Sequence, residues 1–247
     1  VNSAKDDAAG LAIAERMNTQ VRGMNVAVRN ANDGISMAQV GEGALGKVSD
    51  IFQRMRELAV QSANGTNTAA DRTSLNAEFV QLAQEAQRTL GGTQFNGQNI
   101  LAATAAATFQ IGANNNTTID QISIAQFSWT STVGITAVIG ATVTSTPTQQ
   151  ITDITTAQAA LGTLDTAINA VNSQRANFGA AQNRFENVIS NLMVGVENQS
   201  AARSRIMDAD YAAETSNLSR ASILQQAGNA MVAQANQLPQ QVLALLR

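Results

Sequence analysis

An apolar residue recurs at every seventh position along the first quarter of the chain, and further apolar residues stand three or four positions after its members. A seam sustained over six heptads is typical of a coiled-coil-like helix. We predict one helix over about residues 3–61, roughly 90 Å long at 1.5 Å per residue. A change of phase at residues 41–43 predicts a local shift of the seam. The seam consists of Met17, Met24, Ala31, Ala38, Leu45, Phe52 and Ala59.

A second seam lies in the C-terminal half, where positions from Ile154 to Gln199 follow alternating steps of three and four. Eleven of its fourteen positions are apolar, which predicts a second long helix. Between the two seams, residues 64–67 read Asn-Gly-Thr-Asn and predict a turn. A shorter helix follows over about residues 69–90, ended by two glycines. We predict that the three helices pack as an antiparallel bundle.

Residues 101–150 show a different pattern. Thr, Ile and Val alternate over residues 108–111, 119–124 and 135–144, as is typical of β-strands. We predict two or three short strands that form a hairpin. A two-stranded hairpin is marginally stable alone, so it should lie against the helical bundle.

The last segment, residues 206–246, predicts an amphipathic helix with its own apolar seam. From Ala221 to Leu246 it carries no charge, and eight of its residues are Gln or Asn. A membrane helix would not contain so many amides, and a solvated helix would carry charges. We therefore predict that this helix packs against other chains. The alternative, for the isolated monomer, is a disordered Gln-rich tail.

Together these patterns predict a mainly α fold. We expect an elongated antiparallel helical rod, a coiled-coil-like bundle, with a small β-hairpin region and a C-terminal amphipathic helix. The changes of pattern divide the chain into N-terminal rod helices (1–100), a short variable region (101–150), a C-terminal rod helix (151–200) and a C-terminal helix (201–247).

Composition favours assembly over catalysis. The chain has 247 residues, a formal net charge of −3, no Cys and no His. It therefore lacks thiol nucleophiles, Ser-His dyads and the usual zinc ligands, and a slightly acidic balance argues against nucleic-acid binding. No apolar run is long enough for a membrane span. We expect no enzymatic activity, no metal and no cofactor.

Side-chain amides, 47 in number, outnumber the 33 charged side chains. Amide-rich faces are buried against neighbouring chains at a lower desolvation cost than charged ones. The adjacent carboxylates Asp6 and Asp7 stand near a predicted helix start, where they serve the helix dipole rather than a catalytic pair.

Seven sequence blocks follow one another along the chain: NSAKDDAAG (2–10), RNANDGIS (29–36), QRMRELAVQ (53–61), QFNG (94–97), QNRF (182–185), ARSRIMDADY (202–211) and ANQLPQ (235–240). In this order they resemble blocks of bacterial flagellin, and the resemblance covers residues 1–100 and 151–247. The resemblance implies a filament subunit that is bound by an export chaperone, exported by the flagellar type III apparatus and polymerised at the tip beneath the filament cap. It implies an extracellular homo-oligomer, and also a truncated chain that lacks the family's first helical segment.

Residues on one predicted helix face form a candidate recognition site. Arg54, Glu57, Leu58 and Gln61 stand at i, i+3, i+4 and i+7, and Glu78 of the shorter helix is expected beside them. By resemblance, vertebrate Toll-like receptor five engages the matching flagellin positions, and an Arg with an adjacent Leu is a reasonable hot-spot pair. We expect Leu58 to lie outside the heptad core. The alternative is a face that serves subunit packing.

Assembly candidates lie near the C-terminus. Arg203, Arg205, Asp208 and Asp210 form a mixed-charge cluster before the uncharged helix. We predict a hinge or intersubunit contact there; the alternative is a solvated linker with weak ion pairs. The apolar seam that follows adds Leu224, Met231, Leu238, Val242 and Leu245.

Two other functions remain open from the residues. One is a hook–filament junction protein, which shares the end helices. The other is a surface adhesin or glycan-binding module on a flagellin-like rod, which would need an exposed aromatic platform. Trp129 with Phe127 is the one candidate platform in the variable region.

Overall fold

The computed structural model describes residues 1–102, 105–125, 127–142 and 147–245, with side chains described as far as residue 235. Over these residues the chain is mainly helical and forms two compact units, Gln20–Glu197 (the larger unit) and Val1–Thr19 with the residues from Asn198 onward (the smaller unit). The described helices are α1 (Ala8–Ser62), α2 (Ala69–Gly92), α3 (Val133–Ile139), α4 (Ile154–Met207) and α5 (Tyr211–Leu245). The described strands are β1 (Gln94–Phe95), β2 (Gln98–Asn99), β3 (Ala107–Gln110) and β4 (Gln121–Ile124). The prediction of a mainly α fold with a small β region is confirmed.

In the larger unit, α1 and α4 run antiparallel, as predicted. The ring of Phe185 lies over Gly34, and further along α1 the Nε of Arg56 donates to Oδ1 of Asp165 at 2.7 Å. Residue numbers rise along α1 as they fall along α4. With 55 residues, α1 is about 80 Å long at 1.5 Å per residue.

Two glycines of α1 receive the aromatic rings of α4. A Cβ at Gly34 would lie 2.7 Å from Cζ of Phe185, and one at Gly41 would lie 2.9 Å from Cε2 of Phe178. Such distances are too short for real carbon atoms, so a larger residue at either position would displace the ring. The predicted shift of the seam at residues 41–43 is wrong. The position three residues after each seam residue is buried both before and after it, at 27, 34, 41, 48 and 55, and α1 continues without interruption.

The two predicted seams form most of the core of the larger unit. From Met24 onward the α1 seam is buried at every predicted position. Along α4, buried seam positions alternate with half-buried ones from Ala157 to Phe185, and the seam positions after Phe185 are half-buried. Helix α2 adds a third apolar stripe. The buried members of these stripes include Ala31, Ala38, Leu45, Phe52 and Ala59 of α1, Phe79, Ala83, Ala86 and Leu90 of α2, and Ala157, Leu164, Val171, Phe178 and Phe185 of α4.

A capping box begins α2 after the predicted turn. The backbone N–H of Asp71 donates to the Thr68 hydroxyl at 3.3 Å, and the backbone N–H of Thr68 donates to the Asp71 carboxylate at 2.9 Å. The hydrogen bonds from Thr68 lower the pKa of Asp71 below its usual value. Because this box satisfies two otherwise unpaired helix-end donors, it defines the first residue of α2.

Two hairpins follow α2. Strands β3 and β4 pair antiparallel with Thr108 opposite Ser123, which confirms the predicted hairpin. Strands β1 and β2 are joined by Asn96 and Gly97, whose φ angles of 50° and 76° are both left-handed. An Asn-Gly pair with positive φ at both positions is favoured in a two-residue type I′ hairpin turn.

The expected third strand over residues 135–144 is wrong, because residues 133–139 form helix α3. Ile135, Val138 and Ile139 are fully buried. Val138 and Ile139 follow Ile135 by three and four positions, which is a helical spacing. The even spacing of Ile135 and Ile139 also fits one face of a strand. Gly134 permits the close approach of α3 to α4, since a Cβ there would lie 3.1 Å from the backbone carbonyl carbon of Thr166. Burial against α4 thus overrides β-propensity. Residues 143–146 lie outside the described residues.

Polar side chains of the helices hold the intervening segment against them, as expected for a hairpin that is not stable alone. Each donates to a backbone carbonyl between residues 110 and 151, so these four carbonyls have partners outside a β-sheet. The bonds join Asn30 to Gln110 at 2.9 Å, Gln174 to Ala125 at 3.2 Å, Ser62 to Ile151 at 2.6 Å, and Gln87 to Ile139.

Candidate functional site

Arg54 lies at the centre of an exposed ion-pair network in the larger unit. Its Nη1 donates to Oε2 of Glu57 at 2.8 Å, and its Nε and Nη2 donate to Oε1 of Glu78 at 3.1 and 3.0 Å. These bonds, the one to Glu57 first, raise the pKa of Arg54. The structure therefore brings together the three charged residues that the sequence placed at this face.

The network orients the guanidinium more than it stabilises the fold. The side chains of Arg54, Glu57 and Glu78 are 49%, 66% and 48% exposed, and exposed ion pairs contribute at most about 1 kcal/mol each. Two carboxylates hold the guanidinium while half of it still faces solvent. A partner therefore meets a positioned donor group rather than a freely rotating side chain.

Gln61 lies one helical turn after Glu57 and two turns after Arg54 on α1. It borders a shallow surface groove that is also lined by Gln53, Arg56, Glu57 and Val60. Val60 is 51% exposed and is the apolar residue of this groove. Sequence reasoning missed Val60, although it lies outside the heptad seam and so was available as a surface residue.

Leu58 is not part of the exposed face, and the expectation that it lies outside the core is wrong. Its side chain is 1% exposed and belongs to the main hydrophobic core. Helix α1 contacts α2 through Arg54 and α4 through Arg56. Because two helices pack against α1 here, it buries two adjacent positions, Leu58 and Ala59, where a single partner would bury one.

In the smaller unit, the mixed-charge cluster lies across the break between α4 and α5. Oδ1 of Asp210 accepts hydrogen bonds from the backbone N–H groups of residues 212 and 213 at 3.0 and 3.2 Å and so caps α5. Asp208 accepts from the Ser204 hydroxyl at 2.5 Å. Neither Arg203 nor Arg205 forms an ion pair within the described chain. The cluster thus marks a helix junction, and its hinge role stays a prediction.

Helix α5 exposes its apolar seam. Leu224 is 65% and Met231 70% exposed, with Leu218, Ile223 and Val232 similarly uncovered. The side chains of Leu238, Val242 and Leu245 lie outside the described residues. Apolar residues that are exposed together on one helix mark an interaction surface rather than a solvated face.

The aromatic pair of the variable region is buried. Trp129 is 1% and Phe127 7% exposed, and the backbone N–H of Trp129 donates to the carbonyl of Leu101 at 3.2 Å. The predicted aromatic platform is therefore absent from the surface, and the glycan-binding hypothesis loses the observation that supported it.

The remaining charged clusters have structural partners. Oδ1 of Asp7 accepts from the backbone N–H groups of residues 9 and 10 at 3.0 and 2.9 Å and caps α1, as expected for a helix start. Hydrogen bonds from the backbone of Ser3 and Asn2 lower the pKa of Asp6.

Within the described ranges, no three acidic, Cys or His residues lie where they could hold a metal ion. No helix in the same ranges is long and apolar enough to cross a membrane.

Comparison with known proteins identifies the family. Residues 1–106 match the bacterial flagellin N-terminal helical region, and residues 161–246 match the bacterial flagellin C-terminal helical region. A flagellin of Halalkalibacterium halodurans is 47% identical over all of this chain and 87% of its own length. A flagellar filament 33 kDa core protein of Treponema phagedenis is 43% identical over all of this chain and 88% of its own.

Solved structures agree with this assignment. The crystal structure of Bacillus cereus flagellin is 35% identical with a TM-score of 0.56, covering 66% of this chain and 88% of that one. A flagellar hook-associated protein from Vibrio parahaemolyticus has a TM-score of 0.66 over 82% of this chain and all of its own, but at 13% identity it shows the fold alone. The chain therefore belongs to the bacterial flagellin family, whose members are structural subunits of the flagellar filament.

Proposed function

We propose that this chain is exported from the cell and polymerises with copies of itself into the extracellular filament used for swimming. The observation that carries this proposal is the uncovered apolar seam of α5. Every described side chain from residue 216 to residue 235 is exposed, although no charge follows Arg220 until residue 247. Repeated head-to-tail contact of such a surface with a different surface on the next copy builds an open helical assembly.

Other partners follow from the same seam. Before export, an export chaperone covers α5, and at the growing tip the filament cap holds the incoming subunit. In both cases the partner buries an apolar helix face that is exposed in the monomer. The junction of Asp208 and Asp210 allows α5 to change direction relative to α4, which is the role we propose for the charged cluster.

Elongation of sheared filament seeds tests self-assembly. Leu224→Asp places a charge in the apolar seam and is expected to abolish elongation seen by electron microscopy. Val133→Asp is the matched control, because Val133 is an equally apolar residue that is 81% exposed in the larger unit. If the two variants elongate seeds equally well, α5 is not an assembly surface.

We further propose that the face formed by Arg54, Glu57, Gln61 and Glu78 binds vertebrate Toll-like receptor five. A guanidinium held by two carboxylates presents its donor groups in a fixed plane, which suits carbonyl or carboxylate acceptors. The neighbouring Val60 supplies apolar area. Leu58 supports this surface from below and does not offer its side chain to a receptor.

Receptor signalling by two arginine variants tests this face. Arg54→Ala is expected to reduce potency roughly ten- to a hundredfold, the range for a hot-spot residue. Arg88→Ala is the matched control, because Arg88 forms a similar ion pair with Glu85 on the surface of α2. Equal potency of Arg54→Ala and wild type would leave the face as a packing surface only.

A hook–filament junction protein is the alternative. The hook-associated relative supports that alternative only at the level of the fold, whereas the identity to a flagellin extends over the whole chain. Long filaments grown from seeds by this chain alone would favour the filament subunit.

A further inference from the structure

The seven methionines fall into three groups by exposure. Met24, Met37 and Met55 are buried, at 9%, 5% and 0% exposure, while Met17 and Met207 are half-buried. Met193 and Met231 are 61% and 70% exposed. Two thioethers in the chain are thus open to small oxidants in solution, and they lie on different helices.

We propose that Met231 is an oxidation site through which peroxides control assembly of this chain. The thioether sulfur attacks one oxygen of hydrogen peroxide, a sulfur–oxygen bond forms and the O–O bond breaks. The other oxygen departs as hydroxide, takes up the proton of the transferred hydroxyl and leaves as water. Sulfur loses two electrons and the peroxide gains them. The product, methionine sulfoxide, is polar and is reduced again by methionine sulfoxide reductases.

Oxidation of Met231 should disfavour assembly because Met231 lies on the apolar seam of α5. This step rests on the proposed assembly through α5. Met231 follows Leu224 by seven residues and therefore lies on the same helix face. That face contains no charged group after Arg220. A sulfoxide buried there needs a hydrogen-bond donor, and burying it without one is unfavourable.

Met193 provides the internal comparison. It is on α4 in the larger unit, has nearly the same exposure as Met231, and precedes Val194, which is 54% exposed. Peroxide should therefore oxidise both residues of the monomer at similar rates. The proposal assigns the loss of assembly to Met231.

The experiment treats the purified monomer with hydrogen peroxide and maps the added oxygen by peptide mass spectrometry. Met193 and Met231 are expected to react first, and the three buried methionines last. Intact filaments treated in the same way should protect Met231. Unprotected Met231 in filaments would overturn the proposal, because it would place this side chain outside the assembly interface.

Seed elongation then compares treated with untreated protein for wild type, Met193→Leu and Met231→Leu. Peroxide should reduce elongation about tenfold or more for wild type and Met193→Leu, and methionine sulfoxide reductases A and B should restore it. Met231→Leu should show a treated-to-untreated ratio near one. An equal loss in Met231→Leu would overturn the oxidation site, whereas failure of untreated wild type to elongate seeds would overturn the proposed self-assembly itself.

Discussion

Replacing Leu58 by Ala should destabilise the larger unit, although Leu58 stands beside exposed residues of the candidate receptor face. The side chain is 1% exposed and is surrounded by the core that α1, α2 and α4 share. Truncating a fully buried Leu removes its transfer free energy and leaves a cavity. Together these cost about 2–5 kcal/mol. For a unit of this size the melting temperature should fall by roughly 4–20 °C.

Trp129 makes the assay specific to the larger unit. It is the one Trp of the sequence and is 1% exposed within that unit, so its fluorescence reports unfolding there without a contribution from α5. Urea titration followed by Trp129 fluorescence should show a lower midpoint for Leu58→Ala. Val60→Ala is the matched control, since Val60 lies two residues away and is 51% exposed. Its change in stability should stay within about 0.5 kcal/mol.

Receptor signalling separates the two roles that Leu58 could have. At a temperature where both proteins are folded, Leu58→Ala should signal with a potency close to that of wild type, because Arg54 and its ion pairs remain on the surface. If Leu58→Ala has the same urea midpoint as wild type but loses signalling, then Leu58 contacts the receptor directly. That result would refute the assignment of Leu58 to the core.

Three further predictions concern other elements. Gly34→Ala should destabilise the larger unit by about 1–3 kcal/mol, because the new methyl group would overpack against Phe185. Gly43→Ala has no neighbouring atom within 4 Å of the new Cβ and should stabilise the unit by about 0.5–1 kcal/mol. Reversed effects in urea titration would contradict this packing. The Asp71 cap should support α2 fully above the unfolded pKa of about 3.8 and lose its effect as pH falls through the lowered folded pKa, so wild type and Asp71→Asn should approach equal stability in acid. The amides of α5 should exchange rapidly in dilute monomer and slowly in filaments, and strong protection in the monomer would show that α5 needs no partner.

The sequence predicted the charged residues of the candidate recognition face, but its choice of Leu58 as the apolar residue there was wrong. Residues 54, 57 and 61 share a helix face by spacing alone, and the pairing with Glu78 follows once α2 folds back antiparallel to α1. The spacing also places Leu58 there, although its side chain is buried. A helix-face argument gives the angle of a side chain about the helix axis, but it does not say how many neighbours pack around that axis.

The variable region marks the other limit of sequence reasoning. Strands β3 and β4 follow from local alternation and a turn. Residues 133–139 contain alternation and helical spacing at once, so the sequence pattern is compatible with both structures. The close approach at Gly134 and the bond from Gln87 to the carbonyl of Ile139 decide for a helix, and neither contact is local.

The sequence by itself determined the two long helices, the shorter helix α2 after its turn, the hairpin of β3 and β4, and the uncharged apolar seam of α5, because periodicity and turn chemistry act between residues a few positions apart. The tertiary structure alone decided the register of α1 on α4, which Phe178 and Phe185 establish at their glycines. It also decided the helical state of α3 and the burial of Leu58 and Trp129. These depend on which surfaces meet after the chain has folded back, and burial is a property of the assembled core.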